Sequence, residues 1–169
     1  MMHDELTRVD IQKMREEIEY RTRVLRPKLI EDVQTARAFG DLSENFEYKA
    51  AKQAKNRNDS RVRYLERMIA TAVVIDAPEG EGETAGLFDW VELWFEEDEE
   101  LQKIRLVTTL RQDPSKWLIS KESPLGKAVL GKKAGERALV QVNGEYSYHV
   151  VIRSITPGED DESLEISSY

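Results

Sequence analysis

Two carboxylates three residues apart are the side chains of this sequence best suited to chemistry. Asp41 and Glu44 lie in the stretch Phe39–Tyr48, which also contains Gly40 and Asn45. Mg²⁺ prefers oxygen ligands and is usually held by one or two carboxylates together with waters and substrate phosphates. One carboxylate could hold such an ion while the other orients or deprotonates an attacking water. Two carboxylates do not complete a metal site, so the remaining ligands would have to come from another molecule.

The same two acids could instead serve only to stabilise a helix. A negative charge in the first turn of a helix interacts favourably with the helix dipole. Either Asp41 or Ser43 could cap the helix that follows. From composition and spacing alone, this capping interpretation is the favoured one.

A long helical pattern precedes the turn. Apolar residues from Ile11 to Val33 recur at intervals of three, four and seven residues, which is typical of a narrow coiled-coil seam. Thr7 and Asp10 have the spacing of a capping box. We interpret Pro27 as a kink in one helix, because the seam continues on both sides of it. Two helices meeting at this proline are the alternative.

A second helical pattern follows Gly40, with a seam from Phe46 to Ala72. Its middle, Lys52–Ser60, is almost wholly polar and is expected to pair only thinly with the first helix. Each helix is predicted to contain about 30 residues and to be roughly 45 Å long. Because the loop between them is short, the prediction is an antiparallel two-helix coiled coil with residues 40–43 at its tip. Gly40 would supply the turn, since glycine adopts positive φ without steric cost.

Basic residues follow one face of the second helix, and Arg37 lies close to the tip on the first. Lys49, Lys52, Arg63 and Arg67 fit one stripe. Lysine and arginine neutralise phosphates, so the stripe could follow a nucleic-acid backbone. Taken by itself, such a stripe is more often an ordinary solvated helix face. The net charge of −8 also argues against free-standing nucleic-acid binding.

Charge and composition divide the chain and exclude several classes of protein. Residues 1–75 carry 15 Lys+Arg and 13 Asp+Glu, whereas residues 76–169 carry 10 and 20, so we predict two domains. The absence of cysteine excludes disulfides, thiolate metal sites and cysteine nucleophiles, and favours a reducing cytoplasm. No apolar run is long enough to span a bilayer, so no membrane partner is expected.

The second half has the pattern of an antiparallel sheet. Strands are predicted at 73–75, 89–95, 101–110, 117–120, 137–142 and 146–155, and one short helix at 124–130. Asn143-Gly144 is a hairpin signal between the last two strands. The fold class is therefore α+β. The predicted domains are a coiled coil at 1–76 with its tip at 39–45, a linker at 77–86, a sheet domain at 87–157 and a disordered acidic tail at 158–169.

The stretch Ala36–Lys52 resembles the signature of bacterial Gre-type transcript-cleavage factors, the GreA branch in particular. Ile119–Lys132 is similar to a segment in the second half of that family, and the resemblance covers most of residues 6–155. Three places depart from the family's pattern. Residues 8–10 lack the usual glycine, residues 106–117 lack the usual Val-Gly and Glu-Ala-Asp pattern, and the acidic tail is additional.

The resemblance implies an N-terminal coiled coil and a C-terminal FKBP-like domain. It implies that the coiled coil enters the secondary channel of RNA polymerase and stimulates cleavage of the 3′ end of backtracked RNA. Asp41 and Glu44 would then be the catalytic acids and would share a Mg²⁺ with the polymerase active site. The chain would be a monomeric, cytoplasmic accessory factor that donates carboxylates, not a free-standing enzyme.

The resemblance also implies roles for other residues by position. Gly40, Asn45 and Tyr48 would shape the tip. Arg37, Lys49 and Lys52 would form a patch that contacts the nascent RNA. Ser123 and Pro124 would dock on the rim of the polymerase's largest subunit. The last two could instead only begin the short helix. Two other functions stay open: a channel-binding regulator or inhibitor of polymerase without cleavage activity, and a scaffolding coiled coil unrelated to polymerase.

Overall fold

The structure, a computed structural model, describes residues 3–40, 44–76 and 82–168, and its packing divides them into two units. The first is a helical unit, Ile11–Ala72, and the second contains the segment up to Asp10 together with the chain from Val73 onward. The predicted first domain, 1–76, differs from this division at its N-terminal end. Residues 3–10 belong to the second unit because Glu5–Leu6 pairs as a strand with Val73–Val74.

The first arm of the helical hairpin is one uninterrupted helical run. It consists of α1 (Arg8–Tyr20), a π-helical turn (Arg21–Leu25) and α2 (Arg26–Arg37). The Arg26 N–H donates to the Arg21 carbonyl, five residues back. Pro27 has no N–H and cannot continue the α-helical ladder, which explains why the wider turn directly precedes it. The prediction of one helix with an irregularity at this proline is confirmed.

The start of α1 has the predicted capping box. The Thr7 N–H donates to Asp10 Oδ2 at 3.0 Å, and the Asp10 N–H donates to Thr7 Oγ1 at 3.4 Å. Both residues are buried. Two N–H groups that the first turn leaves without helical partners are thereby satisfied.

The second arm, α3 (Phe46–Thr71), packs antiparallel to the first through buried polar side chains in its middle. Arg21 Nη1 donates to Asn58 Oδ1 at 3.0 Å, and Asn58 Nδ2 returns a hydrogen bond to the Arg21 carbonyl at 3.1 Å. Arg61 Nε donates to Glu17 Oε2 at 2.7 Å. Within Lys52–Ser60 only Asn58 is buried, which agrees with the predicted thin pairing, but its hydrogen bonds were not predicted.

The second unit contains seven strands within its described residues. A two-stranded parallel sheet pairs β1 (Glu5–Leu6) with β2 (Val73–Val74). A five-stranded sheet has the order β5-β4-β3-β7-β6. Its strands are β3 (Trp90–Phe95), β4 (Glu100–Val107), β5 (Leu118–Ser120), β6 (Arg137–Gln141) and β7 (Ser147–Thr156).

The five-stranded sheet is mixed, whereas the sequence predicted an antiparallel sheet. Strands β4 and β5 run parallel, whereas the other three pairings are antiparallel. The chain between β4 and β5 passes through two short 3₁₀ turns, Thr109–Arg111 and Pro114–Lys116, which return it to start β5 in the same direction as β4. The fold class is α+β, as predicted.

One face of this sheet is covered by a short helix, α4 (Pro124–Val129). The core between them is fully buried and includes Val91, Ile104, Val129 and Ile152. A second apolar cluster contains Leu87, Phe88, Val107 and Leu118. No helix among the described residues is both long and apolar enough to cross a membrane.

The predicted linker and tail differ from the structure. Residues 77–81 of the linker lie outside the described residues, but Thr84 pairs with Lys133 and Ala85 is buried, so its end belongs to the second unit. Residues 158–168 of the tail are bound to the same unit by hydrogen bonds from Arg105 and Arg111. The prediction of a disordered tail is therefore wrong over these residues.

Candidate functional site at the hairpin turn

The candidate site is the turn that joins α2 to α3, where the sequence has Asp41 and Glu44. Asp41, like Ser43, lies outside the described residues. Glu44 directly precedes the N-cap of α3 and is exposed, and no described residue pairs with its carboxylate. Gly40 has a φ of 125°, which favours glycine over residues with a Cβ. The end of the hairpin therefore presents at least one carboxylate that is available to an external ligand.

Asn45, and neither Asp41 nor Ser43, is the N-cap of α3. Its backbone is extended, and its side-chain Oδ1 accepts the Tyr48 N–H at 3.0 Å. The other side of the amide, Nδ2, donates to the Ala36 carbonyl of α2 at 2.8 Å. One side chain thus caps the second arm and binds the last turn of the first. The sequence did contain this signal, since asparagine is among the best N-caps and Asn45 directly precedes the first helical residue.

Basic side chains from both arms gather on aromatic rings beside the turn. The Arg37 guanidinium lies 5.6 Å from the centre of the Tyr48 ring, and Lys52 Nζ lies 6.0 Å from the same ring. Lys49 Nζ lies 5.8 Å from the Phe46 ring. These separations are in the range of cation–π attraction. The three residues predicted as a basic patch therefore lie against two aromatic rings in the first turn of α3.

The charge of this cluster also acts on the Tyr48 hydroxyl. A hydrogen bond with Arg37 lowers the pKa of Tyr48, burial opposes that effect, and the charge of Lys52 adds to it. Since Arg37 is on α2 and Tyr48 is on α3, this interaction is a second link between the arms. The residues predicted to shape the turn, Gly40, Asn45 and Tyr48, all lie at this junction.

A metal ion at the turn would find few ligands among the described residues. No group of three or more potential metal-ligating side chains occurs in the described parts of the chain. Glu44 is an exposed oxygen donor, which fits a Mg²⁺ that takes only one or two protein carboxylates from any one source. Glu44 therefore fits a Mg²⁺ that takes its other ligands from elsewhere.

The residues predicted to dock on a partner lie in the second unit. Ser123 is the N-cap of α4: its Oγ accepts the Gly126 N–H at 3.0 Å and donates to the Ser120 carbonyl at 2.7 Å. Pro124, the first residue of the helix, is exposed. Both line an open pocket of about 260 Å³, whose apolar wall includes Leu125 and Tyr148. Ser123 therefore has a local structural role, and Pro124 is the more available of the two to a partner.

Comparison with known proteins shows the family. A family model described as "Transcription elongation factor, N-terminal" matches residues 5–74, and one described as "Transcription elongation factor, GreA/GreB, C-term" matches residues 79–157. The curated "Transcription elongation factor GreA" of Mesoplasma florum is 34% identical over 146 residues, which are 86% of this chain and 94% of the relative. The protein of the same name from Chelativorans sp. is 38% identical over 149 residues, with the same coverage. The chain belongs to the GreA/GreB family of transcription elongation factors. The sequence resemblance is thereby confirmed.

Solved structures of GreA/GreB-related factors also resemble the chain, with low structural scores. The Gfh1 protein of Thermus thermophilus is 25% identical, covers 91% of this chain and 99% of its own, and gives a TM-score of 0.41. A GreA/GreB factor from Nitrosomonas europaea is 18% identical, covers 92% and 99%, and gives a TM-score of 0.39. TM-scores below 0.5 do not establish the same arrangement of the parts.

Proposed function

We propose that this GreA/GreB-family chain acts with RNA polymerase and stimulates cleavage of the 3′ end of backtracked RNA. The helical hairpin would enter the secondary channel and bring Asp41 and Glu44 to the polymerase active site. The observation that carries the proposal is the exposed Glu44 carboxylate, which no described residue neutralises, at the end of a hairpin in a chain of this family. A carboxylate without an internal partner remains able to bind a ligand supplied by another molecule.

The chain's own chemistry would be the donation of oxygen ligands. Mg²⁺ in the polymerase active site supplies a bound water of lowered pKa and stabilises charge that develops on the phosphodiester. Asp41 and Glu44 would hold this ion together with ligands from polymerase, and one of the two would orient the attacking water. Because two carboxylates cannot complete a Mg²⁺ site, the chain acts as an accessory factor and not as a free-standing nuclease.

The basic cluster and the second unit would position the carboxylates. Arg37, Lys49 and Lys52 would neutralise phosphates of the nascent RNA near its 3′ end. Stacking on Tyr48 and Phe46 restricts these long side chains before the RNA binds, which lowers the entropy lost on binding. Ser123 and Pro124 would dock on the rim of the largest polymerase subunit.

A transcript-cleavage assay on backtracked, stalled elongation complexes tests the proposal. In Mg²⁺, the wild-type chain should shorten the RNA, and the double variant Asp41→Asn, Glu44→Gln should lose about 100-fold or more of this stimulation, as is usual when transition-state stabilisation is removed. Both replacements keep the shape of the side chain and remove its charge. Glu47→Gln is the matched control, since Glu47 is an exposed acid in the first turn of α3.

Three outcomes distinguish the alternatives. Equal cleavage by the wild type and the double variant would contradict the catalytic role of the two acids. Slower elongation with no cleavage product from the wild type would support a regulator that occupies the channel. Failure to bind polymerase at low salt would support a scaffolding coiled coil.

A further inference from the structure

The second unit contains a wholly buried arginine, Arg111. A buried cation needs both a counter-charge and hydrogen-bond acceptors, because leaving water is costly. Its Nε donates to Asp10 Oδ1 at 2.6 Å, and its Nη2 donates to Thr7 Oγ1 at 3.2 Å. The guanidinium also lies 4.7 Å from the centre of the Phe88 ring. The two hydrogen bonds to Thr7 and Asp10 use only some of the N–H groups of the guanidinium.

The remaining acceptors of Arg111 come from the acidic segment that follows β7. Nη2 also donates to the Asp160 carboxylate, and Nη1 donates to the Asp161 carbonyl at 3.0 Å. Thr7 Oγ1 donates to the second oxygen of Asp160 at 2.6 Å. One guanidinium therefore binds the start of α1 and the acidic segment at the same time.

A second buried arginine, Arg105, binds the same acidic segment, beginning at Glu159. Arg105 Nη2 donates to the Glu159 carbonyl at 2.8 Å, and its Nη1 lies 3.7 Å from the Asp161 carboxylate. Its Nε donates to the Phe88 carbonyl at 3.0 Å, and its guanidinium lies 4.9 Å from the centre of the Trp90 ring. Arg105 and Arg111, with Phe88 between them, thus form the surface on which the segment lies, which we name the arginine groove.

The fit of the segment is specific along its length. The Gly158 N–H donates to Asp89 Oδ1 at 3.0 Å, and a Cβ added to Gly158 would lie 2.0 Å from the Phe88 carbonyl oxygen. Further along, Leu164 packs against the apolar cluster around Phe88. Ser167 donates from its N–H to the Leu110 carbonyl at 2.6 Å and from its Oγ to the Gln112 carbonyl at 2.9 Å.

The three places where this sequence departs from the family's pattern meet in this groove. Residues 8–10 supply Asp10, residues 106–117 supply Arg111, and the acidic segment, which lies beyond the residues matched by the C-terminal family model, supplies Asp160. None of these contacts involves the turn that carries Glu44. The groove and its occupant are thus a feature of this chain that the function proposed above does not use.

We propose that residues 158–168 form an acidic strap, and that the arginine groove is a binding site for an acidic peptide whose resident ligand is this strap. Bound in the groove, the strap fixes Thr7 and Asp10 and so holds β1 against β2. Released from it, the strap leaves Arg105 and Arg111 without three of their oxygen acceptors and uncovers the apolar cluster that Leu164 contacts.

The test compares the full chain with a variant that ends at Pro157, by hydrogen exchange at two amides that report β1–β2 pairing. The Val73 N–H donates to the Asp4 carbonyl and the Ile75 N–H to the Leu6 carbonyl, both at 2.9 Å. Truncation should speed exchange of both amides about tenfold or more. A synthetic peptide of residues 157–169, added in excess, should restore slow exchange, and the same peptide with Asp160→Asn and Asp161→Asn should not. Unchanged exchange on truncation, or equal rescue by the two peptides, would overturn the proposal.

Point variants of the full chain keep the test informative if the truncated chain fails to fold. Gly158→Ala should release the strap and speed exchange at Val73 and Ile75, because the added Cβ overlaps the Phe88 carbonyl. Gly144→Ala is the control, since a Cβ there meets nothing within 4 Å. Asp160→Asn should have the effect of Gly158→Ala, and Glu162→Gln, at an exposed position, should have none. Equal effects of each variant and its control would contradict the strap.

Discussion

At the scale of the residue, the conformation of the candidate site depends on the amide of Asn45. The carbonyl of Ala36 is among the last four of α2, which have no partner within their own helix, and Ala36 is buried. That carbonyl accepts the Phe39 N–H at 3.2 Å and a second hydrogen bond from Asn45 Nδ2, while Asn45 Oδ1 accepts an N–H of α3. The acidic turn is therefore closed by a side chain that is itself uncharged.

The two hydrogen bonds of Asn45 can be separated by substitution. Asn45→Ala removes both and should lower the free energy of unfolding by about 2 kcal/mol, with about 1 kcal/mol from the lost cap and about 1 kcal/mol from the lost hydrogen bond. Asn45→Asp keeps a capping oxygen, loses the donor and should cost about half as much. Urea unfolding followed by circular dichroism at 222 nm measures both variants.

Asn56→Ala is the control for these substitutions, since Asn56 is exposed on α3. Alanine has the higher helix propensity, so this variant should be as stable as the wild type or slightly more stable. If Asn45→Asp were also as stable as the wild type, the hydrogen bond to Ala36 would contribute nothing to the hairpin.

At the scale of the element, the hairpin is stabilised by different contacts along its length. Ile11, Met14 and Leu65 are buried apolar residues toward the end away from the turn. In the middle, Asn58 and Arg61 are buried polar residues that bind Arg21 and Glu17 of the other arm. Hydrogen bonds require particular distances and angles between their atoms, whereas apolar contacts do not. The polar contacts therefore allow fewer alternative registers of the two arms than apolar contacts would.

The Glu17–Arg61 pair makes the stability of the hairpin depend on pH. Burial acts to raise the pKa of Glu17, but hydrogen bonds from Arg61 and Arg21 outweigh it and lower the pKa below the ordinary 4.5. A carboxyl whose folded-state pKa lies below its unfolded-state pKa stabilises the fold above the unfolded-state value. That contribution is lost as the pH falls through the folded-state value. The hairpin should therefore lose stability as the pH falls below the ordinary 4.5 of a glutamate.

Glu17→Gln tests this assignment. At neutral pH it should destabilise the hairpin by about 1–3 kcal/mol, because the buried Arg61 loses its charged acceptor. The variant should also lose less of its unfolding free energy than the wild type as the pH is lowered. Urea unfolding at a series of pH values measures both effects. Glu66→Gln, at an exposed position of α3, should change neither. A pH dependence that is the same in wild type and Glu17→Gln would assign the acid sensitivity to other groups.

At the scale of the whole molecule, the segment before α1 stabilises the second unit and not the hairpin. Leu6 is fully buried. Its strand, β1, precedes α1 in the sequence and pairs with β2, which follows α3. The chain's three tryptophans, Trp90, Trp94 and Trp117, all belong to the second unit. Tryptophan fluorescence therefore reports on that unit, whereas the signal at 222 nm comes mainly from the hairpin.

Leu6→Ala should lower the unfolding free energy measured by tryptophan fluorescence by about 2–5 kcal/mol, the usual loss for a buried leucine. The control is Leu139→Ala, because Leu139 is 50% exposed in the same unit. If Leu6→Ala shifted the transition at 222 nm and left the fluorescence transition unchanged, residues 3–10 would belong with the hairpin, as the sequence predicted.

Local sequence patterns predicted most helices and strands. The features that were not predicted depend on contacts between residues far apart in the sequence. The capping box of Thr7 and Asp10 and the short helix at Pro124 follow from residues close in sequence. The buried contact of Asn58 was not predicted, because its partner, Arg21, is 37 residues away. The acidic tail has the composition of a disordered segment, and its binding depends on buried arginines, Arg105 and Arg111, that lie about 50 residues earlier in the chain. The site residues beside the turn were named from the motif, but the cap at Asn45 was not.

The π-helical turn at Arg21–Leu25 gives the first arm one residue more than a regular α-helix of the same span would need. Such a turn behaves as an insertion that the helix has absorbed, and the helix on either side keeps its phase. A lineage that lost one exposed residue here, such as Thr22, would regain a regular helix without rotating the last turn of α2 relative to α3. The arm can thus gain or lose a residue in its middle during evolution while the acidic turn keeps its orientation relative to α3.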